Sequence, residues 1–384
     1  MSIINYGKQF LDNKDLSSVR KVLQSDYLTQ GPKVDGFEKA LLKKFGGKFC
    51  SVVSSGTAAL HLLGLALGWK KNDIILTTPL TFAATSNCIV YTGAKPIFVD
   101  IDENTGTICP KNLEKKIKSI RNKGKKIKAI IGMDYGGHPC DWPKIKSLSK
   151  QYKITLINDN CHGMGAALYN NKKYAIKYAD FITLSFHPVK ALTTAEGGAV
   201  IGKNKIIDEK IKSLRSHGII KNEKKGLWFY QIKNLGYNYR ISDVHCALGL
   251  SQLQKLDNSV KKRQKIAKIY DRYFRKIENI IIPFKREKFS HAYHLYAIRI
   301  NFTKFNLTKK EFFLKLLKKR IKLQVHYIPV YKHPFYKKNY KNKEKNFPKT
   351  EIFYNQVVSL PVYYTLQIKD QLKVIKNIKQ ILKF

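Results

Sequence analysis

Three short stretches carry side chains that could do chemistry together. The first is "SSGT", Ser54 to Thr57, set between an apolar run and a segment rich in Ala and Leu. The second is "NDNCH", Asn158 to His162, where the carboxylate of Asp159 follows the run Ile154-Thr155-Leu156-Ile157. The third is "SFHPVK", Ser185 to Lys190, which follows Phe181-Ile182-Thr183-Leu184 and precedes Gly197-Gly198. Most lysines of this chain stand in strings such as Lys115-Lys116-Ile117-Lys118, facing water. Lys190 instead sits among hydroxyls and small residues.

Each stretch alone admits two readings. Small residues at a helix start let an anion reach the first backbone N–H groups, which lack helical partners. They also open an ordinary capped, buried helix. The GK[ST] ending of a P-loop is absent. Asp159 can cap a helix, or hold a cation or a protonated heteroaromatic nitrogen. His162 by itself reads as a core or capping histidine. Lys190 can be a buried ion-pair partner, or an amine whose pKa is lowered by burial so that it can attack a carbonyl. Together the three match the needs of pyridoxal phosphate: N–H donors for the phosphate, a carboxylate for the pyridinium nitrogen, an amine for the aldehyde.

Such residues need a frame that brings them to one edge. From about residue 48 to 200, near-continuous apolar runs alternate with helical patterns: Phe49 to Val53, Ile74 to Thr77, Pro96 to Val99, Ile127 to Met133, Ile154 to Ile157 and Phe181 to Phe186. This pattern predicts an α/β fold with a mostly parallel central sheet and helices on both faces. Ligands in such sheets collect outside the carboxyl ends of the strands, where all three stretches fall. A long helix is expected over 243–277, with Ser242 as N-cap and Val244, Ala247, Leu248 and Leu253 on its apolar face. The remainder mixes strands (His294 to Ile300, Leu323 to Tyr327) with basic amphipathic helices. We therefore expect a large domain over residues 1–255 and a smaller C-terminal α+β domain over 256–384.

Composition narrows the function classes. The chain has 384 residues and a formal net charge of +45. Its lysines are spread along the whole length, which argues against nucleic acid as the partner and fits a preference for anionic substrates. The cysteines (Cys50, Cys88, Cys109, Cys140, Cys161, Cys246) are scattered without a CxxC pair, so neither a metal site nor a disulfide framework is expected. No stretch reaches the roughly 18 apolar residues that span a bilayer. The N-terminus turns polar too soon for a signal peptide. These features predict a cytoplasmic protein with no membrane partner.

Over nearly its whole length the sequence resembles the DegT/DnrJ/EryC1/StrS family of nucleotide-sugar aminotransferases. The resemblance rests on "YLTQGPKVDGFEKAL" (Tyr27 to Leu41), "SSGTAAL", "TTPLTFAATSN" (Thr77 to Asn87), "NDNCHGMGA" and "SFHPVKALTTAEGGAV". It continues in "LRSHG", "GYNYRISDVHCALGLSQL" (Gly236 to Leu253) and "VHYIPVY" (Val325 to Tyr331). It implies a fold-type I transferase dependent on pyridoxal 5′-phosphate. By that resemblance Lys190 would carry the cofactor covalently and Asp159 would pair with its ring nitrogen. Phe82 and His162 would hold the ring from opposite faces, and Gly56, Thr57, Ala58 and Ser185 would hold the phosphate. Asn238 would reach the phosphate from the second subunit of a homodimer. Thr29, Gln30, Tyr239, Arg240, His326, Tyr327 and Tyr331 would lie near the substrate.

Within the family, "SFHPVKALTTAEGGAV", "LTQG" and "QVHYIPVY" look most like the pseudaminic-acid branch. That branch implies L-glutamate as amino donor and a UDP-linked 4-keto-6-deoxy N-acetyl sugar as acceptor. A 3-aminotransferase, or a 4-aminotransferase for a differently configured UDP- or dTDP-sugar, is the alternative. The related sugar 3-dehydratases resemble this pattern with histidine replacing the lysine. Asn160 and Cys161 depart from the smaller, less polar residues of relatives, and Asn160 could add a hydrogen bond near the cofactor.

Overall fold

Seven apolar segments pair into one sheet, as the spacing of the runs requires. The computed structural model describes residues 3–340 and 342–384. The strands are β1 (Phe49–Val53), β2 (Ile74–Thr77), β3 (Lys95–Phe98), β4 (Ile127–Met133), β5 (Thr155–Asp159), β6 (Phe181–Ser185) and β7 (Gly198–Gly202). Their spatial order is β1-β7-β6-β5-β4-β2-β3. The pairs β3/β2, β2/β4, β4/β5 and β5/β6 are parallel. β7 runs antiparallel to both neighbours, so β1 points the same way as β6. The α/β expectation holds; β7 is an addition, because "GGAVIG" carries only three side chains beyond glycine.

Alternation explains why both faces are covered. Val52, Leu76, Ile130, Leu156 and Ile182 enter one apolar cluster, while Val53, Ile75, Ile131, Ile157 and Val200 enter another on the opposite face. Burying one such branched side chain contributes about 1.5–3 kcal/mol. The order and direction of the strands bring Val53, Asp159 and Ser185 to one edge of the sheet. β7 begins at that edge, with Gly198 opposite both Val53 and Ser185.

Three helices matter for the site: α1 (Gly56–Ala66), α2 (Ala83–Tyr91) and α3 (Asp243–Phe274). The Ser242 hydroxyl caps α3 by accepting from the His245 N–H, as expected. The buried face differs from the expectation: Ala247 is buried, but Val244, Leu248 and Leu253 are only partly so. Cys246, Leu256 and Val260 join the large core instead, and Ile266, Ala267, Tyr270 and Phe274 join a second core. α3 is thus shared by two cores, and position 255/256 falls inside one continuous helix.

The second core covers a three-stranded antiparallel sheet, β8 (Ile280–Ile281), β9 (Tyr296–Ile300) and β10 (Val357–Leu360), in the order β8-β9-β10. The expected strand at Leu323 to Tyr327 does not form. That segment pairs only at Gln324, with Ser359, and then turns toward the sheet edge of the large core. Ile4 also packs in the second core, so the N-terminal segment reaches across the molecule. Among the described residues no helix is long and apolar enough to cross a membrane.

Candidate active site

The edge defined by Val53, Asp159 and Ser185 opens onto a cavity of about 600 Å³. Its floor is the start of α1. The Ser55 hydroxyl accepts from the Ala58 N–H at 3.0 Å, and the Ser55 carbonyl accepts from the Ala59 N–H. The first-turn N–H groups of Gly56 and Thr57 remain, and both residues line the cavity. Gly56 is needed for close approach: a Cβ there would lie 2.7 Å from the Ser185 Cβ. Gly198 is equally constrained, since a Cβ added to it would come within 2.4 Å of the Ser55 carbonyl oxygen. These two glycines therefore let the chain pass close beneath the anion cradle. Ala58 does not line the cavity, and its N–H is taken by the cap.

Asp159 ends β5 and is 4% exposed. Its Oδ2 accepts from the Thr85 hydroxyl at 2.7 Å and its Oδ1 from the Cys161 N–H at 3.2 Å. Thr85 is braced by the Thr81 hydroxyl at 2.8 Å. All donors converge on a carboxylate that can still accept a proton-bearing nitrogen from the cavity. Lys190 borders the same cavity, and its Nζ has no hydrogen-bond or ion-pair partner among the described residues. Burial lowers the ammonium pKa from its ordinary value, against the opposing Asp159 carboxylate.

Phe82 caps α2 and is 58% exposed, an unusual setting for a phenyl ring, on one side of the cavity. His162 is buried on another side. Its Nδ1 accepts from the Gly136 N–H at 3.3 Å, so Nε2 carries the hydrogen and donates to the Tyr327 hydroxyl at 2.9 Å. Tyr327 keeps its own hydroxyl hydrogen for another acceptor. Burial pushes the Tyr327 phenol up and the His162 imidazole well down, which fixes both as neutral.

Several cavity residues were not expected from sequence. Tyr6 comes from the N-terminal segment and packs on the His326 ring at 5.3 Å. His294 lies 4.1 Å from the His162 ring, centroid to centroid, and its buried Nδ1 has no partner. Neither residue belongs to a local pattern, and only an apolar run studded with histidines, "SHAYHLYAI", hinted at the second. His326 does reach the cavity and bonds Ser359 Oγ through Nδ1 at 2.9 Å.

The remaining expected residues lie elsewhere in this chain. Tyr331 is 1% exposed and does not line the cavity: it stacks on Phe347, with its hydroxyl donating to Glu351. Gln30 and Arg240 share a separate cleft with Tyr27 and Arg215. Thr29 pairs with Ser242, Tyr239 stacks on Tyr237, and Asn238 pairs with Ser216 on the exposed surface. Asn160 turns away from Asp159. Its Nδ2 donates to Asp134 at 2.8 Å, joining Asn158, Tyr174, Trp142 and the Cys140 N–H around one buried carboxylate.

That cluster locks the 134–140 loop, including the Gly136 donor, onto the loop that carries Asp159 and His162. An Asp134→Asn substitution puts amide hydrogens among donors. It is expected to destabilise the fold by about 3 kcal/mol, read as a lower midpoint in denaturant.

The buried histidines set a pH limit. His162, His291 and His294 have pKa values pushed well down, and His138 and His326 fall to about 4 and about 3, in each case first through burial. In the unfolded chain these imidazoles bind protons below a pKa of about 6.5. Stability is therefore full above that pH and is lost as pH falls below it. Each histidine steepens the loss by up to about 1.4 kcal/mol per pH unit. Melting temperature measured from neutral to acid pH should fall accordingly, and His294→Phe should flatten the fall.

The arrangement fits pyridoxal phosphate at each contact: open N–H donors at α1, an acceptor carboxylate, an unpaired amine and an exposed aromatic ring. The model of the DegT/DnrJ/EryC1/StrS aminotransferase family matches residues 9–379. The chain belongs to that family. It is 43% identical over 368 residues, 96% of this chain and 94% of the other, to the UDP-4-amino-4,6-dideoxy-N-acetyl-beta-L-altrosamine transaminase of Campylobacter jejuni strain 81-176. Among solved structures it is similar to Helicobacter pylori PseC, described as an aminotransferase involved in the biosynthesis of pseudoaminic acid. That likeness has a TM-score of 0.91 and 31% identity, and covers all of both chains. The PLP-form of the putative sugar aminotransferase Spr1654 from Streptococcus pneumoniae matches at a TM-score of 0.88 and 27% identity, over 99% of each chain. The family member described here is an aminotransferase, and its cofactor is pyridoxal 5′-phosphate.

Proposed function

We propose that this aminotransferase moves an amino group from L-glutamate to C4 of a UDP-linked 4-keto-6-deoxy-N-acetylhexosamine, in the formation of a pseudaminic-acid-type amino sugar. The observation that carries the chemistry is the meeting of Lys190, Asp159 and the open first turn of α1 at one cavity. The choice of sugar is supported by the 43% identity to the Campylobacter enzyme.

When bound, the cofactor supplies an electron-accepting ring that acidifies the Cα–H bond of the amino donor. The residues of this chain do the rest. Gly56, Thr57 and Ser185 would hold the phosphate, and Asp159 would hold the proton on the ring nitrogen. Phe82 and His162 would confine the ring, and the Tyr327 hydroxyl would donate to a bound oxygen. Lys190 Nζ, a cavity amine with a lowered pKa, would take the proton from the donor Cα as general base and return it as general acid, in both halves of the transfer.

A homodimer completes this reading. The hairpin formed by Ile219–Lys221 and Tyr230–Ile232 leaves Leu227, Trp228 and Leu235 more than 80% exposed, a surface that a second copy can cover. Asn238 follows on the same segment and would reach the partner's phosphate site. Arg240, Gln30, Thr29 and Tyr239 would face substrate across the same interface.

The test is spectroscopic first and chemical second. Bound-cofactor absorbance should convert on adding L-glutamate, and the converted enzyme should then aminate one member of a panel of UDP- and dTDP-linked keto sugars. Amination of a 3-keto sugar alone, or of a dTDP-sugar alone, would replace this reading with the related alternative.

A further inference from the structure

The Lys190 loop has a second wall. Behind it lies a small crevice bounded by Pro188, Lys190 and Ala191 on the loop and by Ser259 and Arg263 on α3. Arg263 is 2% exposed. Its Nη1 donates to the carbonyls of Val362 at 2.8 Å, His294 at 3.2 Å and Tyr293 at 3.5 Å. Its Nη2 reaches the carbonyl of Val189, the residue before the lysine, at 3.4 Å. Its Nε has no partner, and among the described residues no carboxylate lies within ion-pair distance of it. Burying a cation costs several kcal/mol, an expense normally offset by an anion. Here only carbonyl dipoles offset it, and the surviving positive charge faces Lys190.

We propose that Arg263 is a positioning residue for Lys190: it ties the Val189 carbonyl to the C-terminal core and presents an unneutralised positive charge that disfavours protonation of the lysine. The Lys190 ammonium is accordingly pushed down, first by burial and with Arg263 adding to it. The opposing charge is the Asp159 carboxylate at the end of β5, while burial pushes the nearby Cys161 thiol well up and leaves it neutral. From the other elements, His162, His294 and His326 face the lysine as neutral rings, with Tyr327 and Tyr6 as neutral phenols. Lys8 and Lys255 border the crevice, and His187 and Glu196 lie on the lysine's own loop. Of the cations among these, Arg263 is held by the loop itself. A purely mechanical tie would not require a charge, and this difference is what an experiment can read.

The inference rests on Lys190 as the cofactor lysine for its purpose, but the charge effect belongs to the chain alone. Two variants, Arg263→Gln and Arg263→Lys, are compared with the full-length wild type. In the cofactor-free protein, the pH dependence of Lys190 labelling by an amine-reactive reagent is followed by mass spectrometry. In the holoenzyme, the pH dependence of bound-cofactor absorbance is followed in parallel. Removing the positive neighbour favours the ammonium, so Arg263→Gln should raise both midpoints by about one pH unit, a tenfold loss of free amine below the midpoint. Arg263→Lys keeps the charge and loses the fork, so its midpoints should stay near wild type.

Unchanged midpoints in a folded Arg263→Gln protein would overturn the proposal. So would a full upward shift in Arg263→Lys, which remains decisive if the glutamine variant does not fold. A labelling shift in a protein whose bound-cofactor absorbance does not respond to Lys190 would uphold the charge effect while sinking the assignment of Lys190 as the cofactor lysine.

Discussion

Lys190→Ala is expected to yield a folded protein that still binds cofactor and L-glutamate but loses turnover by at least about 10⁴-fold. The fold should survive because the side chain borders the main cavity on one side and a crevice on the other, so little packing is lost. Binding should survive because the Gly56 and Thr57 N–H groups, Ser185 and Asp159 are untouched. The chemistry should not. Lys190 is the one amine lining the cavity among the described residues, and its pKa is lowered toward the range where a free amine is present. No other side chain can replace it: His162 and His326 are held neutral by burial, and His162 is fixed as a donor to Tyr327. The check is an absorption spectrum of each purified protein with cofactor, before and after glutamate, followed by turnover with the keto sugar. Conversion in wild type alone is the expected result. Appreciable turnover by the variant without an added amine would remove Lys190 from its role.

What sequence could reveal of this site follows the chain's local geometry. A strand end is a local event, so the runs ending at Val53, Ile157 and Leu184 announced where Gly56, Asp159 and Lys190 would stand. Their convergence followed from one inference, that near-continuous apolar runs alternating with helices make a parallel sheet. β7 was harder to see because glycines occupy its ends, and those glycines are there for close approach and not for strand propensity.

Residues brought in from afar left no such mark. Tyr6 and His294 come from segments distant in sequence, and Arg263 sits mid-helix among lysines, where a solvated face is the natural expectation. Tyr331 stands outside the cavity for a different reason. "VHYIPVY" extends past the cavity, and after Ile328 the chain enters a separate apolar cluster with Phe98 and Tyr336. A motif shows that a segment visits a site, but does not show which of its residues stays there. Asn160 makes the same point: its polarity suggested the cofactor, yet a buried carboxylate on the neighbouring strand's loop claimed it.

Asp159→Asn tests the other half of the site with almost no change in shape. The carboxylate is acceptor-only, and the structure uses that property twice, at Thr85 and at the Cys161 N–H. In the variant, the amide oxygen can keep one of these donors while the NH₂ group meets the other. The Thr85 hydroxyl can turn toward Thr81, which limits the cost to about 1–2 kcal/mol and leaves the protein folded. The functional loss is larger. An amide NH₂ cannot accept from a protonated ring nitrogen, so the ring-nitrogen proton that the proposed role of Asp159 requires would no longer be favoured. Stabilisation of charge developing in the transition state then falls by roughly 10²- to 10³-fold in kcat. The KM for glutamate should change little, because the lost interaction strengthens only as the Cα proton leaves. Steady-state kinetics of the variant, with the spectrum of its bound cofactor, would read both parts. A kcat near wild type would mean that the carboxylate serves Thr85 and the loop at Cys161 alone, as a buried cap. The expected pattern is a large fall in kcat at nearly constant KM, because in its proposed role Asp159 acts on the reacting system only through the ring-nitrogen proton.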